Sequence, residues 1–509
     1  MFKRKLLISS ALAVAVTAGF AGYVSGAVGV NSKPLRTALT VPNIRLHQAA
    51  LQAIADANGG ERASGSPGFD ASAAYVKSTL EAAGYSVTEL PFSFPFFEEI
   101  SPPEFDRVLP TALVYVEDTD FSTMSYSGSG DETAVVQNVD LVLPPGPVAG
   151  TSNSGCEAAD FNGFVPGNIA LIQRGTCTFA LKAANALAAG ASAAIIFNEG
   201  QPGRTEALPG TLGGPIDLPV LSASFAVGDA LAALTSPTVH VKTTTTSEIR
   251  NTLNLLAETA TGRNDRVVVV GAHLDSVPGG AGIQDNGSGS AAILEIALQL
   301  KALGIDPVNK VRFMWFGAEE SGLLGSENYV STLNARQIKN IAVNLNFDMI
   351  ASPNFVRFVY DGDGSDTPAA GPNGSSVIED VFAKYLTKQG LAFEPTAFDG
   401  RSDYGPFIAV GIPAGGLFTG AEGLKTPEEV LIYGGTAGVA YDPCYHQACD
   451  TFDNNNLEAL DQMSDAAADA VLQFAMTTSA VKGTSKANDQ SVKSVDADSL
   501  AYRGSHLQR

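Results

Sequence analysis

Three apolar runs of this chain each stop at residues that can bind a metal ion. VVVVGA runs into His273, VRFMWFGA into Glu319 and Glu320, and AVNLNF into Asp348. Asp285 sits in a glycine-rich loop, AGIQDNGSGS, and His446 supplies a second imidazole late in the chain. These are nitrogen and oxygen donors of the kind zinc accepts. Each alone is weak. A histidine after a strand is commonly a turn residue, a Glu-Glu pair a solvated loop, and Asp348 could cap the next turn. Jointly they carry more, because parallel neighbouring strands bring their carboxyl ends together, where ligands gather in open α/β sheets.

Two histidines and three carboxylates exceed the three protein ligands of a typical single catalytic zinc. The set suits two ions, with Asp285 as the bridge and one histidine plus one further carboxylate on each. Ions about 3.5–4 Å apart activate a water and stabilise the oxygen of an attacked carbonyl. Such a reaction needs a base that takes the proton of the bridging water and passes it to the leaving amine. Glu319 and Glu320 are adjacent, so one can coordinate while the other faces the water. Asp275 is spaced to brace His273 through its other ring nitrogen.

The elements around these residues alternate. From about 251 to 477, VVVVGA precedes a helical stretch at 290–302, and VRFMWFGA precedes one near 326–333. AVNLNFDMI is a third strand, with further helices at 377–389 and 457–475. This argues an α/β fold with helices on both faces of a sheet. Residues 33–100 offer helical spacing at 44–55 and 71–83 and a strand at YSVTEL, too little to fold alone. Between about 101 and 245, TALVYV, AVVQNVDLVLP, GNIALIQRG and AAIIFN alternate with Gly/Pro turns, and one helix is clear at 179–189. That stretch reads as a compact β-rich insertion. Residues 478–509 turn polar and read as a disordered or removable tail, an inhibitory or stabilising pro-segment cut after export being one reading.

The bulk numbers exclude some partners. A formal charge of −22 over 509 residues argues against nucleic acid or an anionic membrane surface. Lys3, Arg4 and Lys5, an apolar stretch and then Ser25, Gly26 and Ala27 have the three parts of a secretory signal, here residues 1–26. A membrane anchor is the alternative. The chain is expected to be secreted, extracellular or periplasmic, monomeric, and without a stable membrane anchor once the signal is removed. Four cysteines in an exported chain suggest disulfides. Of three possible pairings we favour the local ones, Cys156–Cys177 and Cys444–Cys449. The alternative is a zinc site from Cys444, His446 and Cys449.

GAHLDSV, QDNGSGS, FGAEESGLLGS, NFDMI, GRSDYGPF and DPCYHQACDT, in this order, resemble the co-catalytic two-zinc aminopeptidases of the aminopeptidase Y, or secreted leucyl aminopeptidase, type. The resemblance implies a three-layer α/β/α zinc-peptidase domain with a mixed, mostly parallel sheet, formed by residues 33–100 and 246–477. It implies two zinc ions per chain. His273 and Asp348 are then similar to the terminal ligands of one ion, Glu320 and His446 to those of the other, and Asp285 to the bridge. Glu319 looks like the general base and Asp275 like the brace. Tyr445 resembles a tyrosine that hydrogen-bonds the developing oxyanion, and Arg401 a residue near the substrate. The Asp285–Asn286 bond is expected to be cis. GNIALIQRGTCTFALKAANALAAGASAAIIFNE makes residues 101–245 resemble a protease-associated domain, a non-catalytic lid or recognition module.

The implied reaction is hydrolysis of the peptide bond after a free N-terminal residue, with large apolar side chains preferred. Glu319 and Asp348 could also meet the substrate's ammonium. A carboxypeptidase of the same fold would need basic residues for a substrate carboxylate, and Arg401 alone stands near a site motif. A glutaminyl cyclase-like enzyme would use one metal, which the five-ligand set disfavours. A binding relative with dead metal sites would have lost ligands, and none is lost. A serine hydrolase would show a Gly-x-Ser-x-Gly elbow, which this sequence lacks.

Overall fold

The computed structural model describes residues 30–482. The expected signal segment and most of the polar tail lie outside the described residues, as does His506.

Four parallel strands form the centre of the peptidase sheet. Arg263–His273 lies between Asn309–Phe316 and Ile341–Phe347, and Ala414–Phe418 pairs with the last of these. Phe358–Tyr360 runs antiparallel to Ala414–Phe418, and Thr238–Glu258 antiparallel to Asn309–Phe316. The sheet is therefore mixed but mostly parallel. Val267–His273 is buried along its whole length, which is why its sequence is a continuous apolar run rather than an alternation.

Successive side chains of a strand point to opposite faces. Val267 and Val269 pack with Tyr329, Val330, Ile338 and Phe407, which come from helices Leu324–Ser331, Ala335–Asn340 and Tyr404–Ala409. Val268 and Val270 face the other layer, where helices Gly287–Ala302 and Leu457–Met476 lie against the strand. Three layers result, as the resemblance implied.

The N-terminal helices are longer than their apolar spacing alone suggested: Val41–Ala57 and Pro67–Ala82. Thr40 and Ser66 cap them, each accepting a backbone N–H, and proline follows in the first turn. His47 of the first helix is structural. Its Nε2 is 3.1 Å from Glu295 and its Nδ1 2.7 Å from the Tyr75 hydroxyl, which ties this helix to Gly287–Ala302.

Val87–Leu109 and Thr238–Glu258 pair as one long antiparallel ribbon, from Val87 opposite Ala257 to Leu109 opposite Thr238. The expected domain boundaries at 100/101 and 245/246 fall inside this ribbon. It carries the chain into and out of the insertion without a flexible linker. Beyond it, Gly130–Val139, Ile169–Gln173, Ala193–Phe197 and Val220–Ala223 form a sheet of parallel neighbours. Helix Phe179–Ala188 is as expected, and Phe225–Ala232 is a second one.

Both favoured disulfides are present, Cys156–Cys177 and Cys444–Cys449. A zinc site using Cys444 and Cys449 is thereby excluded, since neither sulfur is a free thiolate. Among the described residues no helix is long and apolar enough to cross a membrane.

Candidate metal centre

The carboxyl ends of three neighbouring central strands deliver His273, Glu319 with Glu320, and Asp348 to one place. Sharp turns aim the side chains. Ala318, just before Glu319, has φ of 53°, Met349, just after Asp348, has 51°, and His446 itself has 55°. Non-glycine residues seldom adopt this left-handed region, and such residues cluster at functional sites. Asp285 arrives on the loop that leads into helix Gly287–Ala302. That helix packs so closely that a Cβ on Gly289 would stand 2.1 Å from the Phe347 carbonyl oxygen. Gly289 is thus required by packing beside Asp348. The Asp285–Asn286 bond is cis, as expected.

Asp285 divides its two oxygens. Oδ1 lies 3.1 Å from His273 Nε2, and Oδ2 lies 3.3 Å from His446 Nε2. Asp348 Oδ1 is 3.2 Å from His273 Nε2, and Glu320 Oε2 is 3.0 Å from His446 Nε2. Glu319 Oε2 stands further off, 3.9 Å from His273. Two clusters share one residue.

Hydrogen bonds alone do not account for this arrangement. One imidazole N–H carries a single hydrogen, yet His273 Nε2 faces both Asp285 and Asp348 at hydrogen-bond distance. Glu320 Oε1 is buried without a hydrogen-bond partner. Separations of 3.0–3.3 Å are close to the edge of a tetrahedron of donors about 2.0–2.1 Å from a central ion, roughly 3.3 Å. The residues fit a metal in each cluster.

The electrostatics agree. Burial raises the Glu319 carboxyl; Asp348 and Glu320 raise it further against the pull of His273, leaving it well above the usual range. Burial would also raise Asp285, but the two imidazoles outweigh it and hold it low. Burial lowers His446, yet Glu320 and Asp285 prevail and push it up to about 11. Acids gathered around imidazoles in this way call for cationic charge, and an ion would displace those protons.

Asp275 faces His273 Nδ1, the ring nitrogen its spacing suggested, with two of its groups. Its backbone carbonyl, not its carboxylate, is the nearer group to His273 Nδ1, at 3.1 Å; carboxylate Oδ1 is 3.7 Å away. The carboxylate instead accepts from the backbone N–H of Glu319 at 3.3 Å and of Glu320 at 3.4 Å. One residue therefore orients a histidine and both glutamates.

Arg401 is paired. Its guanidinium meets Glu422 at 2.7 and 3.3 Å and the Tyr445 hydroxyl at 3.2 Å. Tyr445 stacks on His446 with ring centroids 3.8 Å apart, on the loop closed by Cys444–Cys449. Five supporting residues escaped the sequence reading. Arg62 is fully buried and donates to the carbonyls of Leu274, Ala281 and Gly282. Asp450 accepts from the N–H groups of Gln284 and Asp285. Ser402 donates to Asp348 Oδ2. Asp403 is buried near His273 and Asp348, and burial pushes it up to about 7. Glu422 is the fifth. Asp450, Ser402 and Asp403 lie within the quoted motifs, so position could have flagged them; Arg62 and Glu422 carry no local signal.

A cavity of about 240 Å³ opens onto this centre. Asp285, Glu319, Glu320, Asp348, Tyr445 and His446 line it, together with Met349, Tyr360, Thr396 and Phe418.

Residues 254–471 match the model of peptidase family M28, and residues 137–231 match the PA domain. An aminopeptidase of Pseudomonas aeruginosa is 47% identical over 460 residues, covering 90% of this chain and 85% of the relative. The chain belongs to peptidase family M28. It is a peptide hydrolase of the aminopeptidase branch with an inserted PA domain. Leucine aminopeptidase 2 of Trichophyton rubrum is 46% identical over 329 residues, 64% of this chain and 65% of that protein. Among solved structures, a zinc aminopeptidase from Bacillus subtilis aligns with a TM-score of 0.53 at 25% identity, covering 85% of this chain and 94% of that one.

Proposed function

We propose that this M28 peptidase is an exported, two-zinc aminopeptidase that releases large apolar residues from the free amino ends of peptides. The divided carboxylate of Asp285 carries the reading, because each oxygen faces its own histidine. The zinc named for the Bacillus subtilis relative and the leucine named for the Trichophyton relative support it.

His273 and Asp348 would hold one ion, His446 and Glu320 the other, with Asp285 between them. Bound zinc supplies positive charge to polarise the scissile carbonyl and to acidify a water. Glu319 is the general base. It is buried, stands off from the imidazoles, and has its basicity raised by burial and by Asp348. It takes a proton from the attacking water and returns it to the nitrogen of the breaking C–N bond. Tyr445 donates its hydroxyl hydrogen to the oxygen that gains charge. Glu319 and Asp348 also offer negative charge to the substrate's ammonium. Met349, Tyr360 and Phe418 line the same cavity and would offer apolar surface to the first side chain.

A carboxypeptidase reading would need Arg401 for the substrate carboxylate, but Glu422 already holds that cation from two sides. Export is supported by the two disulfides and the signal-like residues 1–26. The direct test compares leucine p-nitroanilide with its N-acetyl derivative, with and without a chelator. Activity confined to the free amine and abolished by the chelator is expected. Equal turnover of the acetylated substrate, or chelator-resistant activity, contradicts the reading.

A further inference from the structure

A second cavity of about 110 Å³ lies beside the metal centre, across the wall made by Glu320. Ser276, Pro278 and Ser321 of the peptidase domain line one side of it. Phe96 and Phe97 of the ribbon and Tyr126 of the insertion line the other. Glu320 borders both cavities. Val277 lines the main one, while its chain neighbours Ser276 and Pro278 line the second. The two spaces are thus neighbours along one wall.

That order gives a direction. On the aminopeptidase reading above, the first side chain of a substrate would rest against Tyr360 and Phe418, with the bond to be cut over the residues proposed to hold the metal. The rest of the peptide must leave on the far side, past His446 and Glu320. We propose that the second cavity receives the side chain of the residue that follows the cleaved bond, and that it favours an apolar, above all aromatic, side chain there. This rests on the aminopeptidase reading above.

The aromatic wall is built, not incidental. Phe97 and Tyr126 meet edge-on with centroids 5.9 Å apart, a favourable aromatic geometry. Arg250 covers Phe96 at 3.4 Å from the ring centroid. Tyr126 holds φ at 72°, unusual for a bulky residue. Its carbonyl is pinned by Ile216 N at 3.2 Å and Ser247 Oγ at 2.9 Å. The ribbon and insertion therefore complete a substrate subsite that the peptidase domain lacks alone. Selection at this position would belong to the inserted domain, while the chemistry stays with the sheet.

The test measures kcat/KM of the full chain on leucinamide, Leu-Gly and Leu-Phe. Leucinamide has no residue after the cleaved bond, so it reads the chemistry alone. The wild type is expected to favour Leu-Phe over Leu-Gly about tenfold, the low end for an apolar pocket. Phe97→Ala, and Ser125→Phe as a cavity filler, should bring that ratio near one while leucinamide turnover stays within about twofold. Ser125 lines the cavity and is not among the metal-binding or catalytic residues. An unchanged Leu-Phe to Leu-Gly ratio in both variants, or a parallel loss on all three substrates, overturns the proposal. Failure of the wild type to cleave leucinamide would instead overturn the aminopeptidase reading itself.

Discussion

The Arg401 guanidinium lies 3.2 Å from the Tyr445 hydroxyl, and arginine can only donate. The phenol oxygen is therefore the acceptor, and its own hydrogen stays available to donate within the cavity that both residues line. Glu422 fixes the guanidinium in that pose. Tyr445 is thus oriented as a donor before any substrate arrives.

Tyr445→Phe should lower kcat about 10²-fold with little change in KM, as expected for a contact made only in the transition state. Glu422→Gln should lower kcat several-fold in the wild type and do nothing further in Tyr445→Phe, because the two act as one unit. Steady-state kinetics of the double-mutant cycle measures this. Fully additive effects would show that Glu422 does not work through Tyr445.

The adjacent glutamates should separate cleanly. Glu319→Gln is expected to lose about 10²–10⁴-fold in turnover while keeping its zinc. Glu320→Gln should lose zinc along with activity, since its carboxylate meets His446 at 3.0 Å. Metal analysis of the two purified variants decides it. Zinc lost from Glu319→Gln and retained by Glu320→Gln would exchange their roles.

Asp275→Asn keeps the backbone carbonyl beside His273 but replaces one accepting carboxylate oxygen with a donor NH2 that faces the N–H of Glu319 or Glu320. Zinc affinity should fall about 10–100-fold, the usual effect of losing an outer partner. A competition titration with a chromophoric chelator reads it. Unchanged affinity would mean that the carboxylate contacts are dispensable.

The parts of this structure that were legible in the sequence are those with short-range patterns. Val267–Val270 announces a buried strand because both its faces are covered, and the candidate ligands His273, Glu320 and Asp348 are legible because each follows a strand. The assignment of Glu319 and Glu320 to different roles came from the family motif, since adjacency alone cannot say which one coordinates. The ribbon was hidden. Pro91, Pro95, Pro102 and Pro103 interrupt Val87–Leu109, and proline normally argues against a long strand. Here the pattern Phe92, Phe94, Phe96 prevails, as Phe94 and Phe96 bury against Ala318, next to Glu319 in the chain. Arg62 was illegible for another reason. It donates to backbone carbonyls, which every residue has, so no partner type in the sequence betrays it.

Lys182 gives a pH signature away from the metal centre. Burial lowers its ammonium to about 8, against partial support from Asp160 and Glu199. Between about pH 8 and 10.5 the unfolded chain carries this proton and the folded one does not. Unfolding then takes up a proton, so this group adds stability as pH rises through that window. Denaturant titrations at pH 7.5 and 10 should show the wild type gaining relative to Lys182→Met. A loss relative to that variant would contradict the sign.

The central claim is that Asp285 bridges two ions, and metal content tests it most directly. Zinc per chain, measured on dialysed wild type beside His446→Ala and Asp285→Ala, is expected near two, one and none. A wild type that binds only one zinc, or an Asp285→Ala variant that keeps both, would contradict the account.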